Sequence, residues 1–70
     1  MPVPQTDIAR IQERIVEADL RISAQITRIE RMVETGQDAR EARNLLRRLE
    51  ALMEQWHVRR KIILDAIADG

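Results

Sequence analysis

The side chains best suited to chemistry are gathered in residues 55–61, QWHVRRK, which contain the only aromatic residue, the only histidine and the densest run of positive charge. A zinc site needs three or four ligands, and a general base needs a nucleophile and an orienting partner. His57 has one carboxylate at helical spacing, Glu54, and the single serine, Ser23, has no histidine or lysine at helical spacing. We therefore predict no enzymatic activity, no metal and no cofactor, and we interpret His57 as a solvated side chain beside Glu54.

The composition narrows the remaining classes of protein. Twelve basic and twelve acidic side chains leave no net charge, which argues against a nucleic-acid binder unless the basic residues form a local face. No apolar run approaches the ~20 residues of a membrane span, and residues 1–14 do not resemble a signal peptide, so we expect a cytoplasmic protein without a membrane partner. A chain of this size obtains only about 3–5 kcal/mol from one core, and oligomerisation is a common remedy.

One hinge divides the chain, because Gly36 is the only glycine before the last residue and both prolines lie in the first four positions. Gly36 can end a helix in the left-handed conformation, while Asp38 and Glu41 form a D-x-x-E capping box for the next helix. The short connection predicts an all-α, coiled-coil-like antiparallel hairpin. This single domain of residues 1–70 is predicted to comprise a helix at about 5–35, a turn at 36–37 and a helix at about 38–68.

Heptad repeats predict the seam between the two helices. In the first helix the two columns are Ile8, Ile15, Ile22 and Ile29, and three positions on Ile11, Ala18, Gln25 and Met32. In the second helix they are Ala42, Leu49, Trp56 and Ile63, and three positions on Leu45, Leu52, Arg59 and Ala66. Folding the chain at residue 37 places Ala18 opposite Trp56 and Gln25 opposite Leu49.

More apolar residues remain than a seam between two helices can cover. An exposed patch of this kind marks an association site, and the commonest closed assembly is a twofold homodimer, here a four-helix bundle. The predicted oligomer interface comprises Ile26, Val33, Leu46, Met53, Trp56, Arg60 and Ile67. Four further apolar residues are either scattered surface side chains or a further contact surface: Val16, Leu20, Val58 and Leu64.

A row of arginines follows the isoleucine column of the first helix. Arg14, Arg21 and Arg28 recur every seven residues, and the facing edge of the second helix contains Arg48. Neither Arg28 nor Arg48 has an acidic residue three or four positions away. The row is either a solvated helix edge or, when doubled by a twofold axis, a basic strip that binds nucleic acid.

A hairpin of this length, with matched heptads and a short turn, resembles the Rop-type plasmid regulators. The resemblance covers nearly the whole chain and implies an antiparallel hairpin dimer that binds RNA loop pairs along the face of its first helix. In this chain that activity would use Arg14, Arg21, Arg28 and Arg48.

We expect a non-enzymatic, oligomerising protein–protein interaction module, a small regulator or adaptor whose partners are its own copy and possibly another helical protein. Two alternatives stay open at this point. One is a Rop-like nucleic-acid-binding regulator that uses the arginine edge, and the other is a purely structural oligomer.

Overall fold

The computed structural model describes the backbone of residues 4–69 and the side chains of residues 7–69. Within these bounds the chain forms two α-helices, α1 (Pro4–Glu34) and α2 (Arg40–Asp69), with no strand. They pack against each other in a hairpin that measures 54 × 17 × 14 Å. The predicted all-α hairpin is confirmed, and the connection, residues 35–39, is longer than the predicted turn at 36–37.

Helix α1 ends at the predicted glycine. Gly36 has a φ of 74°, its amide donates to the carbonyl oxygen of Val33 at 3.2 Å, and the Gln37 amide donates to that of Met32 at 2.8 Å. This pair of hydrogen bonds defines a Schellman motif, which satisfies carbonyl groups that the end of a helix leaves without partners.

Helix α2 begins at the predicted cap. The Asp38 carboxylate accepts a hydrogen bond from the Arg40 amide at 3.0 Å and another from its guanidinium at 2.7 Å. The hydrogen bond from the Arg40 side chain, followed by that from its amide, lowers the pKa of Asp38 below its ordinary value. Among residues 7–69 no hydrogen bond joins Asp38 and Glu41, so the predicted capping box does not form, and Asp38 caps the helix through the Arg40 amide instead.

Helix α1 buries both of its predicted columns. Ile11, Ala18 and Gln25 are the most enclosed, with exposures of 7%, 5% and 8%. The other members are half-buried: Ile8, Ile15, Ile22, Ile29 and Met32. The heptad repeat of α1 therefore identifies the side of the helix that packs against α2.

Helix α2 buries only one of its two predicted columns. The half-buried column is Ala42, Leu49, Trp56 and Ile63. The column predicted three positions on is exposed: Leu45, Leu52, Arg59 and Ala66. The column four positions on is half-buried in its place: Leu46, Met53 and Arg60. The predicted second seam column of α2 is thus wrong, and Leu46, Met53 and Arg60, predicted at an oligomer interface, also contribute to the hairpin.

The connection also shifts the two helices along each other from the predicted register. Gln25 Nε2 donates to the Ala42 carbonyl oxygen at 2.9 Å, and a helical carbonyl points one turn on, here toward Leu46. Gln25 therefore lies at the level of Leu46 and not of Leu49 as predicted. Residues 37–39 are not helical. Extended chain advances about 3.3 Å per residue against about 1.5 Å in a helix, so three residues shift the register by roughly 5 Å, or about three helical positions.

Candidate functional site

One side of the hairpin brings the predicted arginine row against exposed leucines of α2. Shallow depressions along this side are lined by Arg28 with Leu45, and by Arg14 and Arg21 with Leu52. A further depression toward the open end is lined by Arg14, Arg59 and Ile62. We define the arginine face by these residues: Arg14, Arg21 and Arg28 of α1 and Leu45, Leu52, Arg59 and Ile62 of α2.

Arg48 borders the same face. It is exposed, three positions after Leu45 and four before Leu52, and residues at these spacings are neighbours on a helix surface. The four arginines predicted as a possible nucleic-acid contact therefore lie on both edges of one surface, with leucine side chains between them.

The arginine face has a local excess of positive charge. Arg14 pairs with Glu17 at 3.5 Å. Among the side chains of residues 7–69, no carboxylate lies within ion-pair distance of Arg21, Arg28 or Arg48. Asp7, Glu17, Asp38 and Glu41 also line these depressions, so the positive excess comes from the arginines without a carboxylate partner.

Trp56 lies at the floor of the arginine face. It lines a depression together with Ala18, Leu49 and Leu52. Arg59, predicted to lie in the seam, is exposed instead, with its guanidinium carbon 5.4 Å from the centre of the Trp56 ring. A guanidinium in this position is attracted by the electrons of the indole ring.

The opposite side of the seam is predominantly apolar. Ile26 and Val33 each follow a residue of the seam, Gln25 and Met32, whereas Arg28 precedes a residue of the seam, Ile29. Because each residue advances about 100° around the helix, Ile26 and Val33 lie on the flank of α1 opposite to the arginine row. We define the isoleucine face by half-buried Ile15, Ile22, Ile29, Leu46 and Met53 and by exposed Ile26 and Val33. Of the other predicted interface residues, Arg60 and Ile67 continue the Leu46 column along this face, and Trp56 belongs to the arginine side.

His57 and Arg60 interact at the edge of the isoleucine face. Arg60 Nη2 lies 3.3 Å from His57 Nδ1, and both side chains are half-buried. A guanidinium only donates hydrogen bonds, so Nδ1 is the acceptor in this contact. The prediction of a solvated His57 beside Glu54 is therefore wrong, because His57 is half-buried and its side-chain contact is with Arg60, one helical turn further on.

Further features of the described chain bear on its class. In residues 7–69 no group of three His, Cys, Asp or Glu side chains is arranged to hold a metal ion. Neither helix, over the described residues, is long and apolar enough to cross a membrane. Comparisons with known protein families, curated proteins and solved structures find no match to this chain. The two faces of the hairpin are therefore the features from which a function can be argued.

The leucines of the arginine face are the site residues that sequence reasoning missed. Leu45 and Leu52 are 43% and 40% exposed, although the heptad repeat assigned them to the seam. No signal in the sequence placed them at the surface, because apolar residues stand at both 45 and 46 and at both 52 and 53.

Proposed function

We propose that this protein is a non-enzymatic helix-packing module that self-associates through its isoleucine face into a homodimeric four-helix bundle. The supporting observation is incomplete burial. When the hairpin is closed, the isoleucines of α1 and the neighbouring Leu46 and Met53 are only half-buried, and no side chain in residues 7–69 is completely enclosed. A second hairpin on this face would supply the burial that one hairpin lacks.

Charge supports the isoleucine face as the surface for a second copy. In a twofold dimer the same surface meets itself. The flank of the isoleucine face contains acidic Asp19 and Glu50 as well as basic Arg43 and Arg60, so opposite charges are available to each other. The arginine face has a positive excess, and two copies joined there would bring like charges together.

In this proposal the dimer acts in the cytoplasm as a small regulator or adaptor. Its surfaces present apolar and charged side chains at the spacing that binding of a partner helix requires. A purely structural oligomer would form the same dimer without binding any other protein. Binding of another helical protein therefore separates these two roles.

Two negative charges introduced into the isoleucine face test the proposed dimer. The double variant Ile26→Glu, Val33→Glu changes exposed side chains, which are 42% and 54% accessible, so the seam of the hairpin is left intact. We expect it to stay helical but to become monomeric by light scattering, since the dimer would bury four unpaired carboxylates. Leu20→Glu, a substitution outside both faces, is the matched control and should remain dimeric. A double variant with an unchanged dimer mass would contradict the proposal.

A second candidate function is supported by the exposed arginines without carboxylate partners. In the Rop-like alternative, Arg21, Arg28 and Arg48 bind the phosphates of an RNA loop pair. Phosphate contacts make binding fall steeply as the salt concentration rises, so the gel shift is measured at low salt. It should weaken in the double variant Arg21→Ala, Arg28→Ala. It should persist in the control Arg47→Ala, which removes a charge on the other flank of α2. Failure of the unmodified protein to shift RNA at low salt would eliminate this function.

A further inference from the structure

We propose that the arginine face is a docking groove for an amphipathic helix of another protein whose apolar stripe is flanked by acidic side chains. The inference rests on the proposed role as a helix-packing module, but it does not require self-association through the isoleucine face. It names the chemistry of a partner for the side of the hairpin that the proposed homodimer leaves free.

The floor of the groove is apolar and follows the hairpin axis. Leu45 and Leu52 are exposed one heptad apart, Trp56 lies between them and the open end, and Ile62 is 62% exposed beyond it. Residues 45 to 62 of a helix extend over about 26 Å, which is the length of a partner helix of about 17 residues. A partner with apolar side chains at heptad spacing would therefore meet Leu45, Leu52 and Trp56 in turn, and Arg59 continues the leucine column beyond them.

The rims of the groove are basic on both sides. On α1, Arg14, Arg21 and Arg28 repeat at intervals of about 10.5 Å, and on α2 the rim contains Arg48, while Arg59 lies one heptad after Leu52 in the column of the floor. Acidic side chains on the two edges of the partner stripe would repeat at the same interval. Each would meet a guanidinium, which binds a carboxylate through two parallel hydrogen bonds when the geometry allows.

The same observations disfavour the other occupants. A second copy would present the same arginines, so a twofold contact here opposes like charges. A nucleic acid would find the phosphate-binding charges, but single-stranded bases stack on aromatic rings. The side chains between the arginines are aliphatic, and the one aromatic ring, that of Trp56, already lies beneath Arg59 at 5.4 Å. Aliphatic groups between basic rims fit an acidic amphipathic helix better.

Trp56 provides the measurement, because it is the only tryptophan of the chain and lies at the groove floor. The probe is a designed tryptophan-free 18-residue helical peptide with leucine at positions a and d and glutamate at positions e and g. Titrating the full chain with this peptide should shift the Trp56 emission to shorter wavelength, as water leaves the groove. The same peptide with lysine in place of glutamate should bind at least tenfold more weakly.

Charge reversal identifies the rim. In the double variant Arg21→Glu, Arg28→Glu we expect the preference to invert, so that the lysine peptide binds and the glutamate peptide loses at least tenfold in affinity. Arg47→Glu, on the other flank of α2, should behave as the unmodified protein. Circular dichroism of each variant establishes that the helices are intact. Leu52→Glu tests the floor of the groove and should also weaken binding of the glutamate peptide.

Several results would overturn the docking groove. One is a glutamate peptide that leaves Trp56 emission unchanged, another is equal binding of both peptides, and a third is an RNA loop pair that alone changes Trp56 emission. Light scattering on the same samples measures whether the protein is a dimer, so a failure of the docking groove is distinguished from a failure of the proposed dimer. A dimer that does not bind the peptide contradicts only the groove, whereas a monomeric Ile26→Glu, Val33→Glu variant that still binds it supports the groove independently of self-association.

Discussion

At the scale of single residues, Gln25 has the strongest influence on the pairing of the two helices. It is enclosed within the seam, and its amide donates to the Ala42 carbonyl at 2.9 Å. A polar side chain in a seam lowers stability but favours the register in which its partner is available. Since all buried side-chain polar atoms in residues 7–69 have partners, this register leaves Gln25 satisfied.

The substitution Gln25→Leu should raise stability and loosen the register. Leucine adds apolar burial, the lost hydrogen bond contributes about 0.5–1.5 kcal/mol, and the Ala42 carbonyl keeps its helical bond, so we expect a net gain of about 1 kcal/mol. Urea unfolding measures the gain. The distance distribution between spin labels on Ser23→Cys and Asn44→Cys should broaden in the variant. A narrow, unchanged distribution would mean that apolar packing alone determines the register.

The ion pair at the α2 cap should be visible in acid titration. Arg40 lowers the pKa of Asp38, so the pair contributes stability that is complete above the ordinary aspartate pKa of about 3.9 and is lost as the pH falls through the lower native value. We expect Arg40→Ala to raise the pKa of Asp38 toward the ordinary value, measured from the carboxyl carbon shift by NMR. The control Arg47→Ala should leave this titration unchanged. Identical titrations in the Arg40→Ala variant and the unmodified protein would contradict the assigned cause.

At the scale of the elements, the sequence was sufficient to predict the two helices but not to predict which second column of α2 is buried. Gly36 and Asp38 punctuate the chain strongly, and the isoleucine repeat of α1 depends only on that helix, so both were predictable. The choice between the Leu45 and Leu46 columns depends on the rotation of α2 about its own axis. The periodicity of α2 does not specify this rotation, because apolar residues occur both three and four positions after Ala42, Leu49 and Ile63, and arginines occur at both positions after Trp56.

The Schellman turn gives a prediction at this scale. Gly36→Ala should destabilise the hairpin by about 1–2 kcal/mol, because a residue with a Cβ is strained at a φ of 74°. No atom lies within 4 Å of an added Cβ, so the loss comes from the backbone alone. Thermal or urea unfolding measures it, and Gly36→Asn should lose less, since asparagine tolerates this conformation. Equal stability of the alanine variant and the unmodified protein would show that the turn adopts another conformation in solution.

At the scale of the whole molecule, the hairpin separates its apolar and basic surfaces. The isoleucine face suits a second copy, and the arginine face suits an acidic helix. The arginine row was visible in the sequence because it follows one helix, but its position beside Leu45 and Leu52 depends on the register between two helices. The excess of apolar residues predicted a surface that one hairpin leaves uncovered, and the structure leaves apolar side chains exposed on both sides of the seam, Ile26 and Val33 on one and Leu45, Leu52 and Ile62 on the other.

Sedimentation equilibrium of the unmodified protein tests the central claim most directly. If the half-buried isoleucine face requires a second hairpin, the measured mass should approach twice the chain mass of 8.2 kDa as the concentration rises through the micromolar range, and thermal stability should rise with it, because association stabilises the folded state by mass action. A mass of 8.2 kDa at every concentration, with helicity and thermal stability independent of concentration, would contradict the account.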